Sequence, residues 1–505
     1  MSGQSLPARR PWFDVSFLIA LLVLNAFFLN YNAFRTFNFY DMCFPLDGGW
    51  RIASGQRPYA DFIYYTGPVH LYLNALFFKL FGFGKAAVLA HLIFIHSLVI
   101  TAVFIVSRKY LPVWITALVT ILTTTSFYWP ISHPWHNQTA LFFGIMAVVF
   151  FLIHFPLADS KAFLVGAFPG VCVVLAFITK TDIGIGWGLI FISVFLTSPY
   201  RSKLFCGHFV GLLMGGIVML VLVRSPVDYW QQISDYSQMI AHDRLSRLLN
   251  VQSWLANYYW VPLLLVLINA YSFWKEEKEL LTLLIALFVL SIFSIFSGDI
   301  LICANIFLWG IFMAVCFIVM YRVKSSLKTR IQQYLWNFST AGLVLATVIF
   351  IGISVKYGLE LKVWTYSKKD PIGDYAIKAS AFRGWRCEKK VGEALDNIVE
   401  FINTNVPKTE SLLVVTDLQI LNGLSNRDGY RGIPLGVFVK DHSPVPGRMR
   451  DQVRKRIQGD LPDWIVTDFV SYLNEIPDIG LGQAMKQRYN LAKEFGLYAI
   501  FKKVK

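Results

Sequence analysis

The stretch FYDMCFPLDGGWRIASGQRPYADF, residues 39–62, places three carboxylates, Asp41, Asp47 and Asp61, just beyond the first long apolar run. A carboxylate held between water and an acyl layer can take a proton from a hydroxyl group as that hydroxyl forms a bond. Each also has a plainer use. Asp47 precedes a helical pattern and fits an N-cap. Asp61, in PYADF, fits a turn.

These residues need positioning elements. DGGWRIASGQ reads as a short interfacial helix ending at Gly55. GPVHLYLNALFFKLFG begins with Pro in a favourable first-turn position and continues as an amphipathic helix. Two such helices lying along a membrane surface make a shelf over the carboxylates. The segment 35–85 that holds them is too long for a connector and too aromatic for disorder.

The surrounding chain is a membrane protein by composition. Of its 505 residues 56% are hydrophobic and 15% charged, and the mean hydropathy is +0.53. Apolar windows predict eleven spans: 13–34, 86–107, 112–129, 139–157, 162–179, 184–200, 204–223, 259–274, 280–297, 300–321 and 334–355. The fold class expected is therefore an α-helical polytopic membrane protein. Its net charge of +15 does not point to nucleic acid. Arg9/Arg10, Arg108/Lys109, Lys161, Arg201/Lys203, Lys275/Lys278 and the cluster 322–330 fall in alternate short loops, which the positive-inside rule makes cytoplasmic. The first run then stays as an anchor, the N-terminus is cytoplasmic and the C-terminus extracytoplasmic, with a bacterial inner membrane as the expected location.

From residue 366 the chain turns polar. SLLVVTDL, DWIVTDF and LYAIFKK read as buried strands, and 388–406 and 446–461 as helices, the second of them basic. The division expected is residues 1–365 for the membrane domain, with 35–85 as its first external loop, and residues 366–505 for a small extracytoplasmic α/β domain. Of the six cysteines, Cys43 and Cys387 could meet on one side. No Cys/His spacing marks a zinc site.

The Asp shortly after the first span, the GQRPYADF that follows and the GP…LY..ALFFKLFG before the second span resemble the first-loop signature of the GT-C membrane glycosyltransferases, the group of the protein O-mannosyltransferases and lipid A aminoarabinose transferases. The family pattern has an acidic residue after the Asp, whereas Met42 follows Asp41 here. The resemblance implies an inverting transfer of a sugar from a polyprenyl-phosphate donor to an acceptor hydroxyl on a glycan, lipid or protein. One base suffices, because lipid phosphate leaves without a protein acid, unlike the carboxylate pair of hydrolases. Asp41 is then the base, with Asp61 and Asp47 as runners-up or orienting groups. The donor phosphate calls for cations. Lys180 at an external span end, Arg244 and Arg247 in the long loop, and Arg57 beside Tyr59 in the first loop are the candidates, with Arg51 and Arg224 nearby. Their ordinary role would be contact with anionic head groups, and Lys180 could instead pair with Asp182.

His133 and His136 in SHPWHNQT stand three apart without a third ligand nearby. They suit hydrogen bonds to phosphate or sugar, or are plain loop histidines. No cofactor is specified; a divalent metal is compatible with the carboxylates. Two other classes compete. A transporter or lipid flippase should carry ionisable groups at mid-membrane, and Asn305 is the mild case here; Asp299 lies at an outer span end. A polysaccharide polymerase needs large external loops without this arrangement of Asp, GQ and PYADF.

Overall fold

The computed structural model describes residues 11–35, 37, 39–235, 237, 258–269, 277–297, 306–324, 327–360, 373–432, 447–468 and 481–504. Each of the eleven apolar windows holds a helix. They are α1 (Pro11–Ala33), α4 (Lys85–Tyr110), α5 (Val113–Phe127), α6 (His136–His154), α7 (Asp159–Phe177), α8 (Thr181–Thr197), α9 (Arg201–Val223), α10 (Trp260–Leu267), α11 (Lys278–Ser297), α12 (Trp309–Val323) and α13 (Arg330–Glu360). Two more, α2 (Phe39–Ala53) and α3 (Val69–Phe81), occupy the first loop. Among the described residues six helices are long and apolar enough to cross a membrane: α1, α4, α6, α7, α9 and α13. The protein is an integral membrane protein.

The pattern DGGWRIASGQ predicts that the first interfacial helix begins near Asp47, with that residue as its cap. The helix instead starts at Phe39 and runs through Pro45, so Asp47 lies mid-helix. The second surface helix is where the pattern predicts it. At 13 residues α3 is too short to span.

Burial sorts the helices. Helix α12 is closed in nearly all round, with Phe312 to Met320 buried, and is the centre of the bundle. Helices α1, α9 and α13 turn Phe27, Ile217 and Val348 outward. Helices α7 and α9 meet backbone to backbone. A Cβ added to Gly207 would lie 2.0 Å from Phe163 O, and one on Gly211 2.0 Å from Ala167 O. Small residues permit this approach where lipid supplies no hydrophobic force between helices.

The basic loop residues gather at one end. Arg108 pairs with Asp14 at 2.9 Å and Arg322 with Glu277 at 2.7 Å. Lys109 Nζ donates to Phe155 O at 2.8 Å, and the Arg322 guanidinium lies over the Phe155 ring.

The C-terminal region builds a four-stranded sheet from β3 (Leu412–Val415), β4 (Trp464–Asp468), β5 (Tyr489–Phe495) and β6 (Tyr498–Lys503), in the order β3-β4-β6-β5. Strands β3 and β4 are parallel and the other pairs antiparallel. The strands expected from SLLVVTDL, DWIVTDF and LYAIFKK are β3, β4 and β6. Strand β5 was not foreseen: YNLAKEF is a solvent-facing edge strand carrying Lys and Glu, without an apolar run. Helix α14 (Lys389–Asn405) buries Leu395, Ile398 and Ile402 in the core that takes Leu412, Val414 and Trp464. Helices α16 (Gly447–Gly459) and α17 (Leu481–Arg488) cover the other face, with Val453, Ile457 and Met485. A short pair, β1 (Tyr375–Ala376) and β2 (Arg386–Cys387), and one turn, α15 (Leu421–Leu424), complete it. Cys43 and Cys387 are both buried and free.

The chain after α1 is stitched to β2. Phe37 N donates to Arg386 O at 2.7 Å and Arg386 N to Phe34 O at 3.0 Å. The buried Trp385 ring is met edge-on by Phe34 and Phe37.

The close approach of α7 and α9 is testable. Gly207→Val should destabilise the purified protein by about 1–3 kcal/mol through overpacking. Gly216→Ala on the same helix, where a Cβ meets nothing within 4 Å, should be neutral. Thermal unfolding in detergent compares them, and equal midpoints would refute the packing account.

Candidate active site

The first loop is anchored by one buried ion pair. Asp47 is fully buried; its Oδ2 accepts from Arg51 Nε at 2.7 Å and its Oδ1 from Asn422 Nδ2 at 2.9 Å. Arg51 Nη1 donates to Tyr430 O at 2.8 Å and to Gln56 Oε1 at 3.3 Å. Trp50 Nε1 donates to Arg427 O at 2.8 Å. Asp47 and Arg51 stand four apart, on one face of α2. Both carboxylate oxygens are engaged in dry surroundings, so Asp47 is a tether between loop and sheet region.

Asp61 closes the turn Arg57–Asp61, as PYADF suggests. Its Oδ2 accepts from Arg57 N at 2.8 Å, and its Oδ1 lies 3.6 Å from Arg431 Nη1. Gly432 N donates to Asp61 O at 2.7 Å. Arg57 is exposed. Tyr59, a candidate substrate contact by its place in the loop, is instead buried, with φ of 68°. Its hydroxyl donates to Thr66 O at 2.5 Å and its carbonyl accepts from Gln232 Nε2 at 3.1 Å. The turn uses Tyr59 internally, which is why it does not face a ligand.

Beyond this turn a polar and aromatic cluster forms. Tyr64 Oη and His70 Nε2 share a 2.7 Å hydrogen bond. The His70 ring lies 5.6 Å from that of His136, which lies 4.4 Å from that of Trp135. His133 meets Trp135 at 5.4 Å. One residue beyond His136, Asn137 Oδ1 accepts from Lys180 Nζ at 2.7 Å. The first loop is pressed onto the start of α8: Gly67 N donates to Thr179 O at 3.1 Å, and a Cβ on Gly67 would lie 1.8 Å from Ile178 O. Only glycine permits this approach. Asp182 lies in the first turn of α8 and its Oδ1 accepts from Ile183 N at 2.9 Å.

Burial sets the charges. His70 is pushed down to about 3, first by desolvation and then by His91; desolvation pushes His133 down to about 3 as well. Both imidazoles are therefore neutral, and Lys180 is a basic residue buried beside them. A cation held among neutral donors and rings suits an anion such as phosphate. Among the described residues no three His, Cys, Asp or Glu side chains are grouped to hold a metal ion.

Asp41 lies in the first turn of α2; its side chain is outside the described residues. Phe44, almost one turn on, meets the Tyr65 ring at 6.5 Å. Arg244, Arg247, Asp299 and Asn305 also lie outside the described residues. The structure thus unites Lys180, His136 and His133 with the end of the first loop, and sends Asp47, Asp61 and Tyr59 to its frame. Asn137, His70 and Tyr64 were missed as site residues. Asn137 was visible as a polar group inside HPWHNQT and His70 inside GPVHLY, and Tyr64 lies just ahead of the latter in DFIYYTG.

A second carboxylate pair sits at the C-terminal ends of β3 and β4. Asp417 Oδ1 accepts from Thr416 Oγ1 at 2.8 Å and from Tyr498 Oη at 3.2 Å. Burial and then the charge of Asp417 push Asp468 up to about 7. Asp417 is raised too, mainly by burial. The Cys43 thiol beside it is raised by burial and by Asp417, and is no nucleophile.

No family model and no curated sequence matches the chain. Solved structures do. ArnT of Cupriavidus metallidurans bound to undecaprenyl phosphate superposes with a TM-score of 0.52 at 13% identity, covering 98% of this chain and 99% of that one. The Archaeoglobus fulgidus oligosaccharyltransferase without ligand gives 0.52 at 12%, covering 94% and 71%. The same organism's oligosaccharyltransferase AglB, in complex with an inhibitory peptide and a dolichol-phosphate, gives 0.50 at 13%, covering 98% and 75%. The chain has the GT-C fold. The ArnT superposition covers nearly the whole of both chains, and so takes in the helical bundle, the first-loop helices and the sheet region.

Two outcomes follow for the frame. Asp47→Ala strands Arg51 in a buried setting and should cost about 3–5 kcal/mol, read as early protease cleavage between the first loop and the sheet region; unchanged cleavage would contradict the tether. Asp468 binds its proton more tightly folded than unfolded. Its contribution is full below about pH 4 and falls as pH rises to about 7. Thermal midpoints should drop over that window, and Asp468→Asn should flatten the drop; an unaltered slope would remove Asp468 as its source.

Proposed function

We propose that the chain is an inverting membrane glycosyltransferase that moves a sugar from a polyprenyl-phosphate donor to an acceptor hydroxyl on the extracytoplasmic face, in envelope glycan or glycolipid assembly. The observation that carries this reading is the buried Lys180–Asn137 contact beside the Tyr64–His70–His136 cluster, under the first loop of a GT-C fold. Solved proteins of similar fold hold undecaprenyl phosphate in one case and dolichol-phosphate in another. The end of the bundle that gathers Arg108, Lys109 and Arg322 is taken as cytoplasmic. The cluster and residues 366–505 then lie outside, and residues 1–365 are the membrane domain.

In this reading Lys180 holds the donor phosphate, with His136 and the neutral His133 as hydrogen-bonding neighbours. The acceptor oxygen attacks the anomeric carbon opposite the phosphate. Its proton passes to the Asp41 carboxylate as the new C–O bond forms. The bond from anomeric carbon to phosphate oxygen breaks, the phosphate leaves with the electron pair, and configuration inverts. Asp61 is the alternative base. Arg57, Arg244 and Arg247 are further candidates for contact with the donor.

The test is complementation of a strain lacking the gene. Envelope glycans and polyprenyl-phosphate sugars are compared by mass spectrometry at equal membrane levels. Asp41→Asn should lower transfer by about 10²–10⁴-fold, with donor accumulating. Lys180→Met should weaken donor use while Lys180→Arg restores part of it. Full activity of Asp41→Asn transfers the base role to Asp61, and a deletion that alters no glycan sinks the transferase reading.

A further inference from the structure

The transferase reading leaves one feature without a role. Helix α16, GRMRDQVRKRIQG, carries five basic residues and one acidic residue. Its apolar side is spent inward: Val453 and Ile457 share a core with Ile63 of the first loop. Arg454, Lys455 and Arg456 are left at the surface.

This charge continues into the first loop. Arg456 Nε donates to Arg431 O at 3.3 Å, and its guanidinium lies over the Tyr430 ring. Arg431 reaches Asp61 at 3.6 Å, and Asp61 holds Arg57. Asp61, Asp451 and Asp460 offset part of the charge. Among the described residues, Arg57, Arg431, Arg454, Lys455 and Arg456 outnumber these three carboxylates by two. The track ends three residues ahead of Tyr64. From there the chain runs through Ile63, which shares the core of α16, to Tyr64.

We infer that the α16–Arg431–Arg57 face docks a polyanionic acceptor, a glycan bearing phosphate or carboxylate groups, and guides it to the transfer site. This rests on the transferase reading and narrows its acceptor class. A bilayer is the weaker fit. Among the described residues of α16 and the Arg57–Asp61 turn there is no large exposed hydrophobic residue, whereas interfacial helices insert one apolar face. Charge of one sign along a path raises local concentration and on-rate, and the effect fades with salt.

The full chain in phosphatidylcholine nanodiscs is titrated with fluorescent inorganic polyphosphate at low and high salt. Arg454→Gln/Lys455→Gln/Arg456→Gln should weaken binding about tenfold at low salt and flatten the salt dependence. Lys389→Gln/Lys390→Gln, which removes charge from α14, should change nothing, and both variants should keep the wild-type unfolding midpoint. Phosphatidylglycerol vesicles at equal phosphate should fail to displace the probe. Wild-type affinity in the triple variant overturns the inference, and so does displacement by the vesicles, which makes the face a head-group surface. The titration needs no turnover, so the transferase reading can fail in the glycan assay while this face still binds, and the reverse.

Discussion

The contact between Asp47 and Arg51 holds together parts of the molecule far apart in sequence. Both side chains are buried, and their remaining valences are met by Asn422, Gln56 and the Tyr430 carbonyl. Parting the first loop from the sheet region would take from this buried pair its hydrogen bonds to Asn422 and to the Tyr430 carbonyl. The same loop carries Gly67, pressed on Ile178, and so reaches the helix that begins beside Lys180. Sheet region, first loop and α8 are therefore one continuous series of close contacts, and the candidate site lies along it.

Ionisable groups inside the bundle bear on the transporter alternative. In the sequence the notable polar residues stand at external span ends. The structure adds His91 and His96, both buried on α4. His91 Nδ1 meets Asn74 Oδ1 at 2.7 Å, and its ring stacks on Phe77 at 5.2 Å. Asn74 in turn donates to Pro45 O at 3.1 Å. This histidine joins α2, α3 and α4, which is packing of the shelf onto the bundle. A relay would need a chain of such groups across the membrane; this one runs sideways into the first loop.

The legible parts of the fold were those with local pattern. Eleven apolar windows became eleven helices, because hydrophobic length is a local property. Strands β3, β4 and β6 were legible for the same reason, and β5 was not, since a polar edge strand is defined by its partner. Of the candidate residues, Lys180 meets Asn137, the neighbour of His136. The site was not legible in role. Asn422 lies 375 residues from Asp47, and no spacing rule reaches that far. Without that partner a mid-helix aspartate looks like any cap or catalytic acid.

The extent of α2 changes what Asp41 is. As a loop residue it would need its neighbours to hold it; on a helix its backbone is set by the helix axis. Arg51 lies ten residues on, about 15 Å along that axis, and is fixed by the tether. Pro45 stands four residues after Asp41 and has no N–H to give to the Asp41 carbonyl. That turn lacks one helical hydrogen bond, while Asn74 on α3 donates to the Pro45 carbonyl and holds it against α3. One buried pair at the far end and one amide at Pro45 thus hold the helix that carries Asp41. The acid without access to substrate, Asp47, serves the one proposed to meet it.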